Sequence, residues 1–345
     1  MNIIILAIES SCDDTSAAVI KNGIVVSNVI AGQDVHKEYG GVVPELASRS
    51  HQQNIVPVVA KALSDARVSV SEISAVAFTR GPGLLGSLLV GVSFAKGFAL
   101  AQNCKMIEVN HLHAHVLASF IQTKQSTAPL PNFPFLCLLV SGGHTQIIEV
   151  QEHCNMKIIG TTIDDAAGEA FDKCAKMLGL PYPGGPYIDS YAQEGNPHAF
   201  KFGKPQIKDY DYSFSGLKTS FLYFLKDAVK NDAEFISKHR NDICASIQFS
   251  IVEILMQKLV LASRATGIRE IVIGGGVAAN SGLRNAVRES AKLHNWTAHI
   301  PPKKYTTDNA AMIAVAAYYN YIQGNFAAQD ISAKARYPLH EYFSK

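Results

Sequence analysis

Asn110-His111-Leu112-His113-Ala114-His115 places three of the chain's twelve histidines within five residues, directly after the apolar run Met106-Ile107-Glu108-Val109. If the stretch from Leu112 opens a helix, His111 and His115 stand four apart on one face and His113 points elsewhere. Two imidazoles at that spacing can share a metal ion, as on the zinc-protease helix, although the intervening Glu of that motif is absent. The same spacing also fits a solvated helix start, and a metal site needs further ligands. Two other kinds of stretch could do chemistry. Glu9-Ser10-Ser11-Cys12-Asp13-Asp14-Thr15 crowds hydroxyls and carboxylates together, while Ser141-Gly142-Gly143-His144-Thr145 and Gly274-Gly275-Gly276 are small enough for a phosphate to reach backbone N–H groups.

The elements that must position these residues come in two similar series. Ile3 to Ile8, Ser16 to Ile20 and Ile24 to Ile30 read as strands, the last two joined by an Asn22-Gly23 hairpin turn. A helix follows from Pro44 to about Ala66, with proline at its start. Then come a strand (Ala75 to Thr79), the sharp turn Gly81-Pro82-Gly83, a helix (Leu84 to Gln102), a strand (Lys105 to Val109) and the histidine cluster. Residues 122–135 hold three prolines without periodicity and mark the expected domain boundary.

A second meander follows: Phe135 to Val140, Gln146 to Gln151 and Met156 to Ile163. Further on, Glu270 to Ile273, the glycine turn, Ser281 to Leu293, Thr297 to Ile300 and a helix ending near Tyr321 repeat the order of residues 75–120. The repeat predicts a lobe at 1–122, with 323–345 packing back on it, and a second lobe at 123–322 with a helical insertion at 186–265. Such a duplication predicts an α/β fold of two ribonuclease-H-like domains, as in actin, sugar kinases and heat-shock ATPases, facing an interdomain cleft. Asp308, in the place that matches the histidine pair, either caps its helix or reaches the imidazoles across that cleft. Two imidazoles and one carboxylate with open positions suit a catalytic divalent metal, Zn2+ or Fe2+. Asp13, in the first meander turn, either takes part in proton transfer or closes an Asx turn.

Composition bounds the rest. Hydrophobic residues at 48% and charged residues at 17% describe an ordered enzyme-like chain of 345 residues. A formal charge of +2 neither announces nor excludes a nucleic-acid partner. Six scattered cysteines without a CxxC pair argue against a zinc ribbon or a disulfide framework. The start lacks a basic stretch, and Leu84 to Ala101 is read as too short and too interrupted to span a bilayer, so the expectation is cytoplasmic with no membrane partner. The loop Lys201 to Lys218, with Lys204, Lys208, Tyr210, Tyr212 and Phe214, is either solvated surface or an RNA contact.

Eight motifs in order carry a resemblance. They are Ile8 to Asp13, Gly41 to His51, Arg80 to Gly83, Asn110-His111-x-x-x-His115, Leu139 to Thr145, Phe214 to Lys218, Gly274 to Asn280 and Thr307 to Ala310. Together they resemble the tRNA threonylcarbamoyladenosine transferase family (TsaD), formerly labelled O-sialoglycoprotein endopeptidase. The resemblance implies transfer of threonylcarbamoyl from threonylcarbamoyl-AMP to the exocyclic amine of the adenosine 3′ to the anticodon, in tRNAs reading codons that begin with A. It implies metal ligation by His111, His115 and Asp308. It also implies that Leu139, Val140, Ser141, Gly142, Gly143, Asp172, Gly185, Asp189 and Asn280 hold the donor. Archaeal and eukaryotic relatives carry a tyrosine ligand where this chain has Leu139, so no protein ligand is expected there. The implied partners are tRNA, a paralogous platform protein (TsaB-like) and a small ATPase (TsaE-like). An ATP-dependent kinase of the same fold would leave the His-His-Asp set unused, and a metalloprotease would lack its general base.

Overall fold

The computed structural model describes residues 2–33, 36–205 and 207–343. The chain forms two compact units: residues 1–131, 151–157 and 304–345 in unit 1, and residues 132–150 and 158–303 in unit 2.

Unit 1 is built on a five-stranded sheet. β1 (Ile4–Glu9), β2 (Thr15–Lys21) and β3 (Ile24–Ala31) form the antiparallel meander, and β4 (Ala75–Gly81) and β5 (Lys105–Asn110) continue it in parallel, in the order β3-β2-β1-β4-β5. After β3 come a short helix α1 (His36–Tyr39) and the long helix α2 (Pro44–Ala66). α3 (Leu85–Gln102) joins β4 to β5, and the six-residue α4 (His111–Val116) follows β5 directly. Every residue of β1 is buried, which explains its unbroken apolar run. Ile4, Leu6 and Ile8 pack into one cluster with Ile55, Val58 and Val59 of α2 and Val92 of α3. Alternation therefore turns Ile5, Ala7 and Glu9 to the opposite face.

The second sheet, which but for residues 151–157 around the β7–β8 turn belongs to unit 2, repeats the plan with β6 (Phe135–Val140), β7 (Thr145–Glu152), β8 (Asn155–Thr161), β9 (Glu270–Gly274) and β10 (Thr297–His299), in the order β10-β9-β6-β7-β8. The helices of unit 2 are α5 (Ala167–Met177), α6 (Gly184–Ala192), α7 (Ser215–Asn231), α8 (Phe235–Lys238), α9 (Arg240–Thr266) and α10 (Ser281–His294). α6 opens on Gly184-Gly185-Pro186, which interrupts its apolar pattern, whereas α5 buries Ala167, Ala170, Phe171 and Cys174 along one helical face.

Two helices remain, α11 (Ala310–Gln323) and α12 (Leu339–Phe343). The repeat assigns α11 to the second lobe, yet it belongs to unit 1 and packs on β1, β2 and β3. The reason is its composition: Ala310 through Ala317 are all buried, and they cover the face of the first sheet that α2 and α3 leave open. Its N-terminus is pinned by Ser16 Oγ, which accepts from Ala310 N at 2.9 Å, and by Asn28 Oδ1, which accepts from Ala311 N at 3.1 Å.

By length and composition α3 and α9 could each cross a membrane, so the sequence argument that α3 is too short does not stand. Their apolar character has another physical source: α3 packs on α2 and β4, and α9 is largely buried in the core of unit 2.

Phe78, fully buried in β4, anchors the unit 1 core. Phe78→Ala is expected to destabilise unit 1 by about 3–5 kcal/mol, read as an earlier urea transition by far-UV circular dichroism. A change under about 1 kcal/mol would show that this cluster does not hold the unit.

Candidate active site

The site in unit 1 starts with Asn110, the last residue of β5. Its side-chain oxygen accepts from Leu112 N at 2.9 Å and His113 N at 3.2 Å, which caps α4 and sets the direction of the three histidines. His111 and His115 share one face, with ring centroids 4.6 Å apart. His113 points away and is fully buried, its Nε2 donating to the His153 carbonyl at 2.6 Å.

Asp308 meets the pair. One of its oxygens lies 3.2 Å from His115 Nε2 and 3.5 Å from His111 Nε2. It reaches them from within unit 1, on the loop before α11, and not from the second lobe as the repeat suggests. The capping duty falls instead on Asn309, which accepts from Met312 N at 3.1 Å, so Asp308 is left to the histidines.

Glu9 completes the set, and the sequence alone does not single it out. It is wholly buried at the end of β1, with Oε2 accepting from His111 Nδ1 at 3.1 Å and from Thr79 Oγ1 at 2.7 Å. Its other oxygen accepts from Ser11 N at 2.5 Å, and Ser11 Oγ lies 3.1 Å from His111 Nδ1. A carboxylate on Nδ1 fixes the tautomer that leaves the Nε2 lone pair available, the usual support of a metal-binding histidine. The one signal in the sequence is an acid closing an otherwise apolar strand.

This set fits a divalent cation. The ligand atoms of His111, His115 and Asp308 lie within 4.8 Å of one another. Two ligands bound to one zinc-like ion at about 2.1 Å each stand roughly 3–3.5 Å apart, which the two Nε2-to-carboxylate distances match. Asp308 is 24% exposed while His115 is 1% exposed, so the set is held from inside and open on one side. Three protein ligands with an open side are the pattern of catalytic sites.

Charge is arranged accordingly. Burial disfavours ionisation of Asp308, but His111 and His115 outweigh it and hold the carboxyl at about 2. Burial likewise opposes protonation of His111, yet Asp308 and Glu9 push it up to about 9. Glu9 stays below the usual carboxylate range despite its burial, because His111 faces it. For His115, burial prevails over the bond to Asp308 and lowers it.

The turn after β1 lies beside this set. His51 of α2 donates from Nε2 to the Cys12 carbonyl at 3.0 Å, and Ser87 of α3 donates to the same oxygen at 2.9 Å. Thr15 Oγ1 sits 2.8 Å from His51 Nδ1. Gly83 is required here, since a Cβ at that position would stand 2.4 Å from the Ser11 carbonyl. The turn presents Asp13 and Asp14, both half-buried. Asp14 emerges only from the structure: burial, then the charges of Asp13, Asp308 and Glu9, raise its carboxyl to about 7.

In unit 2 the expected donor-binding residues gather at the C-terminal ends of β6 and β9. Leu139 and Val140 are fully buried in β6, so only their backbone can face a ligand. Gly142 and Gly143 are exposed in the following turn, closed by His144 N donating to Ser141 Oγ at 3.1 Å. Gly275 has φ +84°, and a Cβ there would lie 2.3 Å from the Val140 carbonyl, so the two turns touch only because this residue is glycine. Asp172 Oδ1 accepts from Gly184 N at 2.7 Å and Gly185 N at 3.3 Å, at the start of α6. Asp189 accepts from Ser281 N at 3.0 Å and from Ser281 Oγ at 2.5 Å, at the start of α10. Asn280 accepts from Leu283 N at 2.9 Å and donates to Gln248 Oε1 at 2.6 Å.

The Lys201 to Lys218 loop differs from an RNA-stacking surface. Tyr212 and Phe214 are fully buried, Lys218 pairs with Asp165, and of the exposed Lys201, Lys204 and Lys208 the second pairs with Glu253.

A duplicated meander-and-helix plan, with a His-His-Asp set that could hold a metal ion in one unit and glycine turns at strand ends in the other, defines a member of the actin-like fold class. Solved structures agree on the fold. Full-length HypF in its phosphate- and nucleotide-bound form matches with a TM-score of 0.60 at 15% identity, over 93% of this chain and 46% of that one. An activator of the 2-hydroxyisocaproyl-CoA dehydratase from Clostridium difficile matches at 0.50 and 17% identity, over 94% and 97%. Among curated proteins, the tRNA N6-adenosine threonylcarbamoyltransferase of Phocaeicola vulgatus is 61% identical over 97% of this chain and 99% of its own length. That of Porphyromonas gingivalis is 60% identical over 95% and 96%. Residues 24–315 match the family described as TsaD, tRNA N6-adenosine threonylcarbamoyltransferase, and the chain belongs to that family.

The elevated His111 sets a pH signature. Asp308 is ionised and His115 neutral at pH 7, so a cation binding through His111 Nε2 must displace one proton. Metal affinity is expected to rise about tenfold per pH unit between roughly pH 6 and 8 and to level off above the His111 value. Calorimetry in two buffers of different ionisation enthalpy should show about one proton released. An affinity independent of pH across that range would contradict this charge arrangement.

Proposed function

We propose that His111, His115 and Asp308 hold one divalent cation, Fe2+ before Zn2+, in an enzyme that modifies tRNA. The chain is a tRNA N6-adenosine threonylcarbamoyltransferase. It moves threonylcarbamoyl from threonylcarbamoyl-AMP to N6 of the adenosine 3′ to the anticodon, in tRNAs reading codons that begin with A, and releases AMP. The observation that carries the metal reading is the single Asp308 oxygen within 3.2 and 3.5 Å of two imidazole Nε2 atoms.

The reaction needs little covalent help from the protein. The donor is a mixed carbamoyl-phosphate anhydride, so the N6 lone pair attacks the carbamoyl carbon, the bond to the phosphate oxygen breaks, and AMP leaves with that electron pair. What remains is to bind the adenylate, stabilise charge and accept the N6 proton. Gly142, Gly143 and the neighbouring backbone of β6 suit the phosphate and nucleoside, with Asp172, Gly185, Asp189 and Asn280 shaping the walls. When bound, the cation supplies Lewis-acid polarisation of the donor. Glu9 and Ser11 orient His111 for that ion. Asp13 is assigned the role of proton acceptor, and the half-buried Asp14 beside it, held at about 7, supports a proton-accepting turn at neutral pH.

We assign tRNA as the macromolecular substrate, a paralogous platform protein and a small ATPase as partners, and the cytoplasm as the place of work. The test incubates purified protein, with and without those two partners, with tRNA, threonine, bicarbonate, ATP and an adenylate-forming enzyme. The modified nucleoside is expected on mass spectrometry of digested tRNA; its absence with all components present would sink the function. In single turnover with donor supplied, Asp13→Asn is expected to slow transfer by about 10²–10⁴-fold. An unchanged rate would remove Asp13 from the mechanism and leave the turn a structural one.

A further inference from the structure

Helix α4 is six residues long, too short to hold itself by propensity, yet it must keep two imidazoles converging on one carboxylate. Its fixation comes from the C-terminal segment of the same unit. While Asn110 Oδ1 caps the helix, Asn110 Nδ2 donates to the Tyr337 carbonyl at 2.7 Å, and Asn110 is fully buried. On the face of α4 turned away from Asp308, the His113 ring lies 5.3 Å from Tyr342 and 5.2 Å from Phe343. Tyr342 ties this contact to both segments that carry ligands. Its hydroxyl accepts from Asn320 Nδ2 of α11 at 2.7 Å and donates to the Glu108 carbonyl of β5 at 3.3 Å. β5 leads into His111, and α11 follows Asp308.

We propose that Tyr337–Phe343 is a clasp that positions the metal ligands, acting through Asn110, His113 and Asn320 without touching metal or substrate. The inference rests on the metal reading of His111, His115 and Asp308. It gives the otherwise unused central histidine a purpose: His113 is the handle by which the tail holds the helix. A tail that only adds stability would lower the unfolding temperature and leave metal affinity of the folded protein alone. A clasp must change affinity.

The experiment titrates the full-length apo-protein with Co2+ against a chelating dye and records the visible Co2+ spectrum, with circular dichroism and thermal unfolding of the same samples. Wild type, His115→Ala, Tyr342→Ala, Tyr342→Phe and Asn110→Ser are compared. Asn110→Ser keeps a capping oxygen but loses the donor to Tyr337. Tyr342→Ala and Asn110→Ser are expected to bind Co2+ about 10–100-fold more weakly, with an altered spectrum, as for loss of an outer-shell partner. Tyr342→Phe keeps the ring against His113 but loses the hydroxyl's bonds to Asn320 and the Glu108 carbonyl, and is expected to weaken Co2+ binding by less than Tyr342→Ala does. If Tyr342→Ala does not fold, Asn110→Ser decides the matter alone. Unchanged Co2+ affinity in the folded variants overturns the clasp. Wild type binding no better than His115→Ala overturns the metal reading and the clasp with it, a failure visible in wild type and so distinct from one confined to the variants.

Discussion

The site depends on one imidazole held between two carboxylates. Glu9 takes Nδ1 of His111 and Asp308 faces Nε2, and all three are withdrawn from bulk water to different degrees. Buried carboxylates are costly unless a cation compensates them. In the metal-free protein a proton on His111 serves that purpose, and its elevated pKa is the record of the need. On the proposed reading a divalent ion would compensate the same carboxylates in place of that proton, with His115, kept neutral by burial, as the second nitrogen donor.

Keeping four groups from distant parts of the chain in that relation requires the chain to return. Glu9 ends the first strand, the histidines open α4 about a hundred residues later, and Asp308 precedes α11. What brings Asp308 back is the unfilled apolar face of the first sheet, which α11 covers with an almost continuous apolar surface. The ligand geometry is thus a consequence of core packing. Substituting buried alanines of α11 would move Asp308 without touching it.

The sequence disclosed most strands and helices because β1 and β6 are unbroken apolar runs, an Asn-Gly turn separates β2 from β3, and proline opens α2 while glycine follows α9 and α11. The histidine spacing marks His111 and His115 as a pair on one helix face, and the internal repeat draws attention to Asp308. The repeat also misdirected, since matching order along the chain says nothing about which sheet a C-terminal helix covers. Glu9 stands in the sequence only as one acid of a polar turn, and an acid at a strand end is ordinary; the fold shows it meeting His111. Tyr212 and Phe214 looked like base-stacking residues in a lysine-rich loop but are core side chains, a distinction that local composition cannot make. The raised Asp14 depends on its burial and on the charges of Asp13, Asp308 and Glu9, and neither its burial nor the approach of Asp308 can be read from its neighbours in sequence. The tail's grip on His113 joins residues more than two hundred positions apart, beyond any periodicity.

The central claim is that His111, His115 and Asp308 share one cation in this tRNA-modifying enzyme. The most direct test is anomalous X-ray diffraction at the iron edge on crystals of anaerobically iron-loaded protein. The account predicts a single strong peak bounded by His111 Nε2, His115 Nε2 and the Asp308 carboxylate, lost in His115→Ala. No peak there, or a peak on other histidines such as His153 or His299, would contradict it.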